Sequence, residues 1–352
     1  MENKKSLKVR VISAVILLIF IIAVMVFALK NKHMGENFDV NSYTYTTFDY
    51  FDTIITITVY DIDKDSYDRI IKEVDETIKE YDEAFDIYTE GVGADIYNIN
   101  KNAGVESIQV KPYTVGLLLS AVEGYEKTNG ATNVCIGALT SIWHKYREEG
   151  VSLPDKELLT EAAKHISIDN LEIDVANGTV FLKDKDASLD VGAIAKGFAA
   201  EEAAAILHDN GIENAILSFG GNIIALGDKM GVPFNVAIED PIHEGENIAV
   251  LSVKDMAIVT SGDYQRYYEV DGKRYCHIID SKTLYPATLH SSVTVVSKDS
   301  TMADVLSTAL FTMSIEDGEE LIRSFKDVHV MWVSKDGTIT YSKGFKDHIT
   351  VK

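Results

Sequence analysis

The feature that most constrains this 352-residue chain is an uncharged apolar run near its start. Residues 11–29 include no charged side chain and are rich in Ile, Val, Leu and Phe. Their number matches the roughly 20 residues that a helix needs to cross the hydrocarbon core of a bilayer. A helix in a soluble core is seldom apolar on every side. The run therefore predicts one N-terminal transmembrane helix.

Basic residues flank this run unequally, with four before it and two, Lys30 and Lys32, directly after it. The positive-inside rule favours a cytoplasmic N-terminus. We therefore predict the following organisation: cytoplasmic basic segment 1–10, transmembrane signal anchor 11–29, linker 30–42 and extracytoplasmic body 43–352. The protein is expected in the cell membrane as a single-pass protein. Cleavage after Ala28, as in a signal peptide, is the alternative.

The body of the chain is strongly acidic. The whole chain has a formal net charge of −22, and its first 33 residues carry six basic and one acidic side chain, which leaves −27 on the rest. Such a body repels nucleic-acid phosphates, so no nucleic-acid partner is expected. The charge by itself does not identify a substrate.

Hydrophobic periodicity predicts helices and strands that come in blocks along the chain. The predicted helices are 66–85, 113–128, 155–165, 195–210, 301–313 and 315–324. The predicted strands are 53–60, 171–174, 179–182, 215–219, 235–238, 248–253, 257–260, 267–270, 292–296, 328–333 and 338–341. Because strands follow one another without regular βαβ alternation, the pattern indicates an α+β fold.

The first motif with chemical meaning is Asp190-Val-Gly-Ala-Ile-Ala-Lys-Gly197, between a predicted strand and an Ala-rich predicted helix. The start of a helix presents backbone N–H groups and a positive dipole end, which favour a phosphate. Lys196 adds a positive charge. An ordinary strand-to-helix turn capped by Asp190 explains this motif equally well.

A second motif, Asp304-Val-Leu-Ser-Thr308, lies inside a predicted helix. Residues four apart share a helix face, so Asp304 and Thr308 converge, with Ser307 beside them. A carboxylate beside hydroxyls suits Mg²⁺, which prefers oxygen ligands. Alternatively, Asp304 is only an acidic residue near a helix start, stabilised by the dipole.

Two further segments are weaker signals. Ser218-Phe-Gly-Gly-Asn222 follows an apolar strand and is typical of many tight turns. Ser261-Gly-Asp-Tyr-Gln-Arg266 and His277-Ile-Ile-Asp280 flank a Tyr-rich hairpin, and this concentration of Tyr, Arg, His and Asp favours an aromatic or polyanionic ligand. The sequence lacks HExxH, Walker A, paired CxxC and nucleophile-elbow motifs, which argues against the common zinc peptidases, P-loop NTPases, thiol oxidoreductases and serine hydrolases.

Taken in this order, the four motifs resemble the ApbE family of FAD:protein FMN transferases, over residues 46–341. The resemblance implies an α+β fold with mixed sheets and flanking helices around an FAD cleft. It also implies an enzyme that uses Mg²⁺ to cleave FAD, joins FMN by a phosphoester to a Thr or Ser of a target protein, and releases AMP. Such chemistry needs mainly positioning and charge neutralisation.

The resemblance also implies roles for individual residues. The metal ligands would be Asp304, Ser307, Thr308 and the main-chain carbonyl of Ala193. The FAD contacts would be Phe51, Tyr88, Ala131, Thr132, Asn133, Asp190, Lys196, His277 and Ile278. In catalysis, His277 would relay the proton of the target hydroxyl, Asp280 is a second choice for that role, and Lys196 would supply charge.

The sequence departs from the family pattern at Phe51, where Met is usual, at Asn133, where a carboxylate is usual, at Ser281, where Pro is usual, and at Leu284, where Gly is usual. These departures bear on specificity or rate more than on the reaction. The expected partner is an exported flavoprotein with a Ser/Thr-Gly-Ala-Thr-like segment. Two alternatives stay open: an FAD pyrophosphatase that forms FMN and AMP, and a non-catalytic flavin-binding surface protein.

Overall fold

Strands form the centre of the molecule and helices cover them, in a computed structural model that describes residues 41–351. The helices are α1 Lys64–Phe85, α2 Asp95–Lys101, α3 Pro112–Lys127, α4 Gly137–Glu149, α5 Lys156–Ala162, α6 Ala195–Asp209, α7 Ser300–Thr312 and α8 Ile315–Ile322. The strands are β1 Ser42–Thr47, β2 Ile55–Tyr60, β3 Ile108–Gln109, β4 Leu171–Asp174, β5 Thr179–Leu182, β6 Ala215–Phe219, β7 Asn222–Leu226, β8 Phe234–Glu239, β9 Asn247–Val253, β10 Met256–Gly262, β11 Tyr267–Val270, β12 Lys273–Cys276, β13 Ile279–Asp280, β14 Tyr285–Pro286, β15 His290–Ser297, β16 His329–Ser334, β17 Ile339–Tyr341 and β18 Ile349–Val351.

An eight-stranded sheet with the order β1-β2-β6-β7-β10-β15-β16-β17 organises the fold. All pairs of neighbouring strands in it are antiparallel. The α+β class is thus confirmed, but the expectation of mixed sheets is wrong for this sheet. Antiparallel neighbours can be joined at the same end of the sheet. The helix pair α7–α8, for example, leaves the sheet at the end of β15 and returns to the same end at the start of β16.

The middle of this sheet is buried on both faces. In β10, Ala257 and Val259 pack into the main core with the helices, whereas Ile258 packs into a second core with the small sheet β18-β9-β8. Successive side chains of a strand point to opposite faces, so a strand covered on both sides is apolar throughout. This packing on both faces fixes the end of β10, and thereby the position of the polar residues that follow it.

Helices α6 and α7 cross in close contact on one face of the sheet, and Gly197 makes that contact possible. A Cβ atom at Gly197 would lie 2.6 Å from the Ser300 carbonyl oxygen and 2.7 Å from the Asp304 Cβ. Residue 197 must therefore lack a side chain for the two helices to approach as they do. The crossing brings the first turn of α6 against the middle of α7, and so joins the two motifs that carry Lys196 and Asp304.

A smaller apolar cluster joins α4 and α5 to the hairpin β11–β12. Leu139 and Trp143 of α4 are buried with Tyr268 and Ile279. The sequence did not predict α4, because its apolar positions are few and its first residue, Gly137, is a poor helix former. Tertiary contact explains Gly137: a Cβ there would lie 2.5 Å from the Ser188 carbonyl oxygen.

Residues 41–351 include no helix with both the length and the apolar character that a bilayer span requires. The predicted anchor, residues 11–29, lies outside the described residues, as do the cytoplasmic segment 1–10 and nearly all of the linker. These parts of the predicted organisation stay predictions. From Ser42 onward the chain forms one compact unit, close to the predicted start of the body at residue 43.

Candidate active site

The middle of α7 buries a carboxylate among hydroxyl groups. Asp304 is 4% exposed and Ser307 is fully buried, with Thr308 half-buried one turn beyond Asp304. The helix is capped by Asp299, which accepts the Met302 N–H, and its first turn has no acidic residue. Asp304 therefore lies beyond the reach of a simple dipole effect, and the alternative that it only stabilises the helix start is wrong.

Ionisation of the Asp304 carboxylate is energetically unfavourable in this buried position. Its Oδ2 accepts the Gly197 N–H at 2.9 Å. Removal from water raises the pKa of Asp304, and the positive charge of Lys196 and the Gly197 hydrogen bond offset this only in part. A buried carboxylate with so little compensation is expected to bind a cation.

The same hydrogen bond changes the start of α6. The Gly197 N–H would normally be directed to the carbonyl of the residue four positions earlier, Ala193. Because it is directed to Asp304 instead, the Ala193 carbonyl keeps its lone pairs for another partner. The predicted ligands thus come from α7 and from the turn just before α6, and α6 and α7 touch at Gly197; they are Ala193, Asp304, Ser307 and Thr308.

Ser261, the first residue of the Ser261–Arg266 segment, was not predicted to belong to this corner. The Ser261 hydroxyl, near the end of β10, lies 2.8 Å from the Ser307 hydroxyl. The Ser307 hydroxyl already donates to the Asp304 carbonyl at 2.9 Å, so Ser261 is the donor of the pair. Ser261 consequently fixes the orientation of the Ser307 hydroxyl. One lone pair of the Ser307 oxygen stays free.

His277 follows the hairpin and is held through its own strand partner. Its backbone N–H and its Nδ1 both contact the Arg266 carbonyl, at 3.0 and 3.2 Å. A carbonyl only accepts hydrogen bonds, so Nδ1 carries the proton and Nε2 keeps a lone pair. Burial, followed by the charges of Lys196 and Arg266, lowers the pKa of His277 to about 4. The ring is therefore neutral at neutral pH and Nε2 can accept a proton.

Three cations lie near enough to this imidazole for their charges to lower its pKa. Lys196 lies in the first turn of α6, Arg266 precedes β11 and Arg147 lies on α4, and the charge of each lowers the His277 pKa. Among the described residues, neither Lys196 nor Arg147 has a carboxylate oxygen within 4.0 Å, and Arg266 has one at that limit, from Asp52. Several cations near one imidazole, two of them without an acidic partner among the described residues, favour a polyanion such as a diphosphate.

The predicted contact Tyr88 lies near two of the same cations. The residue is 59% exposed. Its pKa is raised by desolvation and by the Asp190 carboxylate, and the charges of Arg147 and Arg266 act against this rise. Asp190 accepts the Thr140 hydroxyl at 2.7 Å and the Gly192 N–H at 3.0 Å, which shapes the loop before α6.

Phe51 and its neighbour Asp52 both adopt positive φ angles, 55° and 50°. The Phe51 N–H donates to Asp82 Oδ1 at 2.7 Å, and Arg266 Nη2 donates to the Asp52 carbonyl at 3.3 Å. Since Arg266 also holds His277, the predicted contact Phe51 is tied to the cleft through this loop. Arg266 therefore links the loop of Phe51 to His277, and its charge also acts on the pKa of Tyr88.

Other predicted residues have different surroundings. The Thr132 hydroxyl donates to the Val305 carbonyl at 2.8 Å, and the Asn133 side chain bonds the Ile166 carbonyl and the Cys135 N–H, at 2.8 and 2.9 Å. Thr132 thus holds the segment that begins with half-buried Ala131 against α7, and Asn133 holds it to the loop of Ile166. Because these side chains are already hydrogen-bonded, any contact with FAD would come from the backbone of that segment. The predicted FAD contacts of these residues stay predictions.

Two residues near His277 also have structural partners. Ile278 is buried in the main core and its carbonyl accepts the Ala287 N–H. Asp280 Oδ1 accepts the Lys282 N–H at 2.9 Å. The geometry brings His277 towards Lys196 and Arg266, whereas the Asp280 carboxylate organises the following turn, so His277 is the better placed of the two for proton transfer.

The Ser218–Asn222 motif has a supporting role. Gly220 and Gly221 have positive φ angles, 56° and 94°, in the turn between β6 and β7. Asn222 is fully buried, and its Oδ1 accepts the Ser300 hydroxyl at 2.8 Å. The motif therefore fixes the start of α7, the helix that carries Asp304.

A buried carboxylate with hydroxyls, near several cations and a neutral histidine, fits the class of enzymes that act on phosphate-containing substrates. The chain belongs to the ApbE family, whose family model matches residues 51–332.

Relatives of known activity agree with this membership. The FAD:protein FMN transferase of Treponema pallidum (strain Nichols) is 35% identical over 269 residues, which cover 72% of this chain and 74% of the relative. That of Vibrio cholerae serotype O1 (strain ATCC 39541 / Classical Ogawa 395 / O395) is 31% identical, with 80% of each chain covered.

Solved structures agree as well. The crystal structure of the ApbE protein of Thermotoga maritima superimposes with a TM-score of 0.80 at 32% identity, and covers 88% of this chain and 99% of its own. The flavin transferase ApbE of Vibrio cholerae gives a TM-score of 0.75 at 26% identity, with the same coverage. The predicted family, its α+β fold and the predicted enzyme class, a flavin transferase, are confirmed.

Proposed function

We propose that this protein is a Mg²⁺-dependent FAD:protein FMN transferase. It cleaves the pyrophosphate of FAD, attaches FMN through a phosphoester to a Thr or Ser of an exported flavoprotein, and releases AMP. The observation that carries the proposal is the hydrogen bond at 2.9 Å from Gly197, the residue after Lys196, to the buried carboxylate of Asp304. Lys196, Arg266 and Arg147 are also all close enough to His277 for their charges to lower its pKa. In a chain with a net charge of −22, three such cations indicate an anionic substrate.

The residues around Asp304 fit Mg²⁺. They offer one carboxylate, two hydroxyls and the freed carbonyl of Ala193, all oxygen donors that suit a hard cation. Four protein oxygens leave positions for water and for substrate phosphates, which Mg²⁺ commonly keeps. The raised pKa of Asp304 supports this assignment, because a bound cation would remove the cost of keeping it ionised. When bound, the metal neutralises charge on the transferred phosphoryl group.

The protein residues account for the remaining steps. Lys196, Arg266 and Arg147 hold the diphosphate against His277. His277 Nε2 takes the proton of the acceptor hydroxyl as its oxygen forms a bond to the phosphorus of the FMN half. The bond from that phosphorus to the bridging oxygen breaks, and AMP leaves with the electron pair. The Arg266 carbonyl keeps the imidazole in the tautomer that can accept this proton.

We further place the enzyme at the cell membrane, with its body outside the cytoplasm. The uncharged run at 11–29 and the excess of basic residues before it support this location. The acceptor would then be an exported flavoprotein with a Ser/Thr-Gly-Ala-Thr-like segment. The enzyme's own Thr128-Asn-Gly-Ala-Thr132 segment is a poor acceptor, because both threonines are buried and hydrogen-bonded.

The direct test uses the purified full-length chain in detergent with FAD, Mg²⁺ and an acceptor domain free of flavin. Mass spectrometry should show the acceptor heavier by one FMN less one water, with one AMP released per acceptor. A matched acceptor whose target Thr is replaced by Val should gain nothing. AMP release at an unchanged rate without acceptor would instead identify an FAD pyrophosphatase. FAD binding without any AMP would identify a non-catalytic flavin-binding protein.

Ser261 provides a finer test of the metal corner. In Ser261→Ala, Ser307 loses the donor that orients its hydroxyl. Loss of such an outer partner typically weakens metal binding, so we expect the Mg²⁺ concentration for half-maximal transfer to rise roughly 10- to 100-fold. Titration of activity with Mg²⁺ measures this.

The matched control is Ser292→Ala. Ser292 faces Gly262 on the adjacent strand, is more deeply buried than Ser261, and its hydroxyl has no partner among the described residues. Its replacement should leave the Mg²⁺ requirement unchanged. Equal shifts in the two variants would show that Ser261 acts on the sheet and not on the metal corner.

A further inference from the structure

A groove of about 520 Å³ opens beside the hairpin β11–β12. Strand β12 contributes Arg274 and Cys276 to the wall of this groove. Tyr275, which lies between these two residues in the chain, packs instead against Trp143 of α4. Because successive side chains of a strand point to opposite faces, the groove lies on the face of the hairpin opposite α4.

The groove is lined by more cations than anions. Lys273, Arg274 and Lys335 line it, and among the described residues its one carboxylate is Asp263, which is 5% exposed. Asp263 Oδ2 accepts a hydrogen bond from Lys335, whereas its Oδ1 has no hydrogen-bond partner in the described chain and lies 3.8 Å from Arg274 Nη1. Glu269 faces Arg274 across the hairpin, but within residues 41–351 none of its oxygens lies within 4.0 Å of a basic nitrogen. In a chain with a net charge of −22, this local excess of positive charge indicates an anionic ligand.

The remaining walls indicate what kind of anion would fit. The loop between β8 and β9 contributes Pro241 and Ile242, and Ile242 is 45% exposed. An open groove with an apolar wall on one side and cations on the other is complementary to an extended peptide segment that carries acidic side chains. The diphosphate of FAD is assigned to the cations near His277, so the groove is left to a different ligand.

The groove lies one strand away from the proposed proton acceptor. Cys276 lines the groove, and the next residue is His277, so their Cα atoms are about 3.8 Å apart and their side chains point to opposite faces. An extended chain advances about 3.3 Å per residue, so about four residues span the roughly 10 Å thickness of one packed layer. A peptide bound in the groove can therefore also present a hydroxyl to His277.

We propose that this groove binds an acidic segment of the acceptor protein, about four residues from the hydroxyl that receives FMN. Arg274 and Lys335 contact the carboxylates of that segment, and Ile242 contacts its apolar side chains. The proposal rests on the proposed function, since it assumes an acceptor that brings its hydroxyl to His277. It predicts that the enzyme selects acceptors by acidic residues near the target Thr or Ser.

Binding of a synthetic peptide, without any transfer, tests the groove. The full-length chain in detergent, free of FAD and Mg²⁺, is titrated into a fluorescein-labelled peptide that contains Ser-Gly-Ala-Thr, with a pair of glutamates about four residues to each side. A matched peptide has glutamines in place of the glutamates. Fluorescence anisotropy should show the glutamate peptide bound roughly 10- to 100-fold more tightly, as for a charged hydrogen bond, and added salt should reduce this preference.

Variants at Thr288 separate the charge of the groove from its shape. Thr288 lines the groove and is exposed. Thr288→Glu places a negative charge there and should abolish the preference for the glutamate peptide, whereas Thr288→Gln has the same size and should keep it. Arg274→Gln should lower the preference roughly tenfold. Arg323→Gln, at an exposed arginine that pairs with Glu320, should leave it unchanged.

The proposal is overturned if the natural protein binds the two peptides equally, or not at all. It is also overturned if Thr288→Glu and Thr288→Gln have the same effect, or if Arg323→Gln lowers the preference as much as Arg274→Gln does. Because no FAD is cleaved in this experiment, its outcome does not depend on FMN transfer. A glutamate preference that Thr288→Glu abolishes would stand even if no acceptor were ever modified.

Discussion

In Asp304→Asn, FMN transfer should fall roughly a thousandfold while the protein stays folded. The amide keeps the size of the side chain and its oxygen can still accept the Gly197 N–H. It removes the negative charge that favours Mg²⁺ over water, and with it several kcal/mol of stabilisation of the transferred phosphoryl group. Rates are measured at saturating FAD and Mg²⁺, beside the matched control Asp317→Asn, an exposed acidic residue of α8.

The same variant should also change how the stability of the folded protein depends on Mg²⁺. Burial raises the pKa of Asp304, so in the metal-free protein this group favours the folded state at low pH, and the contribution is lost as pH rises through the folded-state pKa. Metal-free Asp304→Asn should therefore be at least as stable as the natural protein at neutral pH. Added Mg²⁺ should raise the melting temperature of the natural protein alone. An equal rise in Asp304→Asn would remove Asp304 from the metal site.

The sequence predicted those elements whose pattern is local. The hairpin strands at 171–174 and 179–182 agree with the structure at every residue, because an Asn-Gly turn and β-branched residues specify them. Helix α6 differs from its prediction by one residue at its end. Helix α4 was not predicted, because its apolar face is narrow and it begins with a glycine. Only tertiary packing explains that glycine.

The candidate site shows the same division. Asp304, Ser307 and Thr308 share one helix face, which their spacing alone predicts. Ser261 and Arg147 could not be found in this way. Ser261 meets Ser307 across 46 residues of sequence, and Arg147 lies on the helix that was not predicted. Such contacts depend on how the sheet, the two crossing helices and the hairpin come together.

Leu284 illustrates how a departure from the family pattern is accommodated. It stands where Gly is usual, and its φ angle is +68°, a conformation that Gly adopts easily and that costs other residues roughly 1–2 kcal/mol. The Leu284 carbonyl accepts the Trp143 indole N–H at 2.9 Å, and its side chain packs into the cluster around Trp143. These contacts offset the strain and hold α4, with Arg147, against the hairpin.

For His277 we expect an acid limit of activity well below the usual range of histidine. Its pKa is lowered to about 4, first by burial and then by Lys196 and Arg266, and the neutral ring is the form that accepts a proton. The kcat/KM for FAD, which reports the free enzyme, should stay level from pH 7 to about 5 and fall as pH approaches 4. His277→Asn should lose roughly 10²- to 10⁴-fold in rate and show no such limb.

Lys196→Met tests the cause of this shift. Removing one of the cations that disfavour protonation must raise the pKa of His277, so the acid limb should move to higher pH even though the overall rate also falls. His208→Asn, a change at an exposed histidine near the end of α6, is the control and should leave both rate and limb unchanged. If the natural enzyme instead lost activity near pH 6.5, or if the limb stayed in place in Lys196→Met, His277 would not be the group that takes the proton. A shift in the expected direction would show that the proton acceptor and the diphosphate-binding cations are electrostatically coupled. The negative charge of FAD would then raise the pKa of His277 only once FAD is bound.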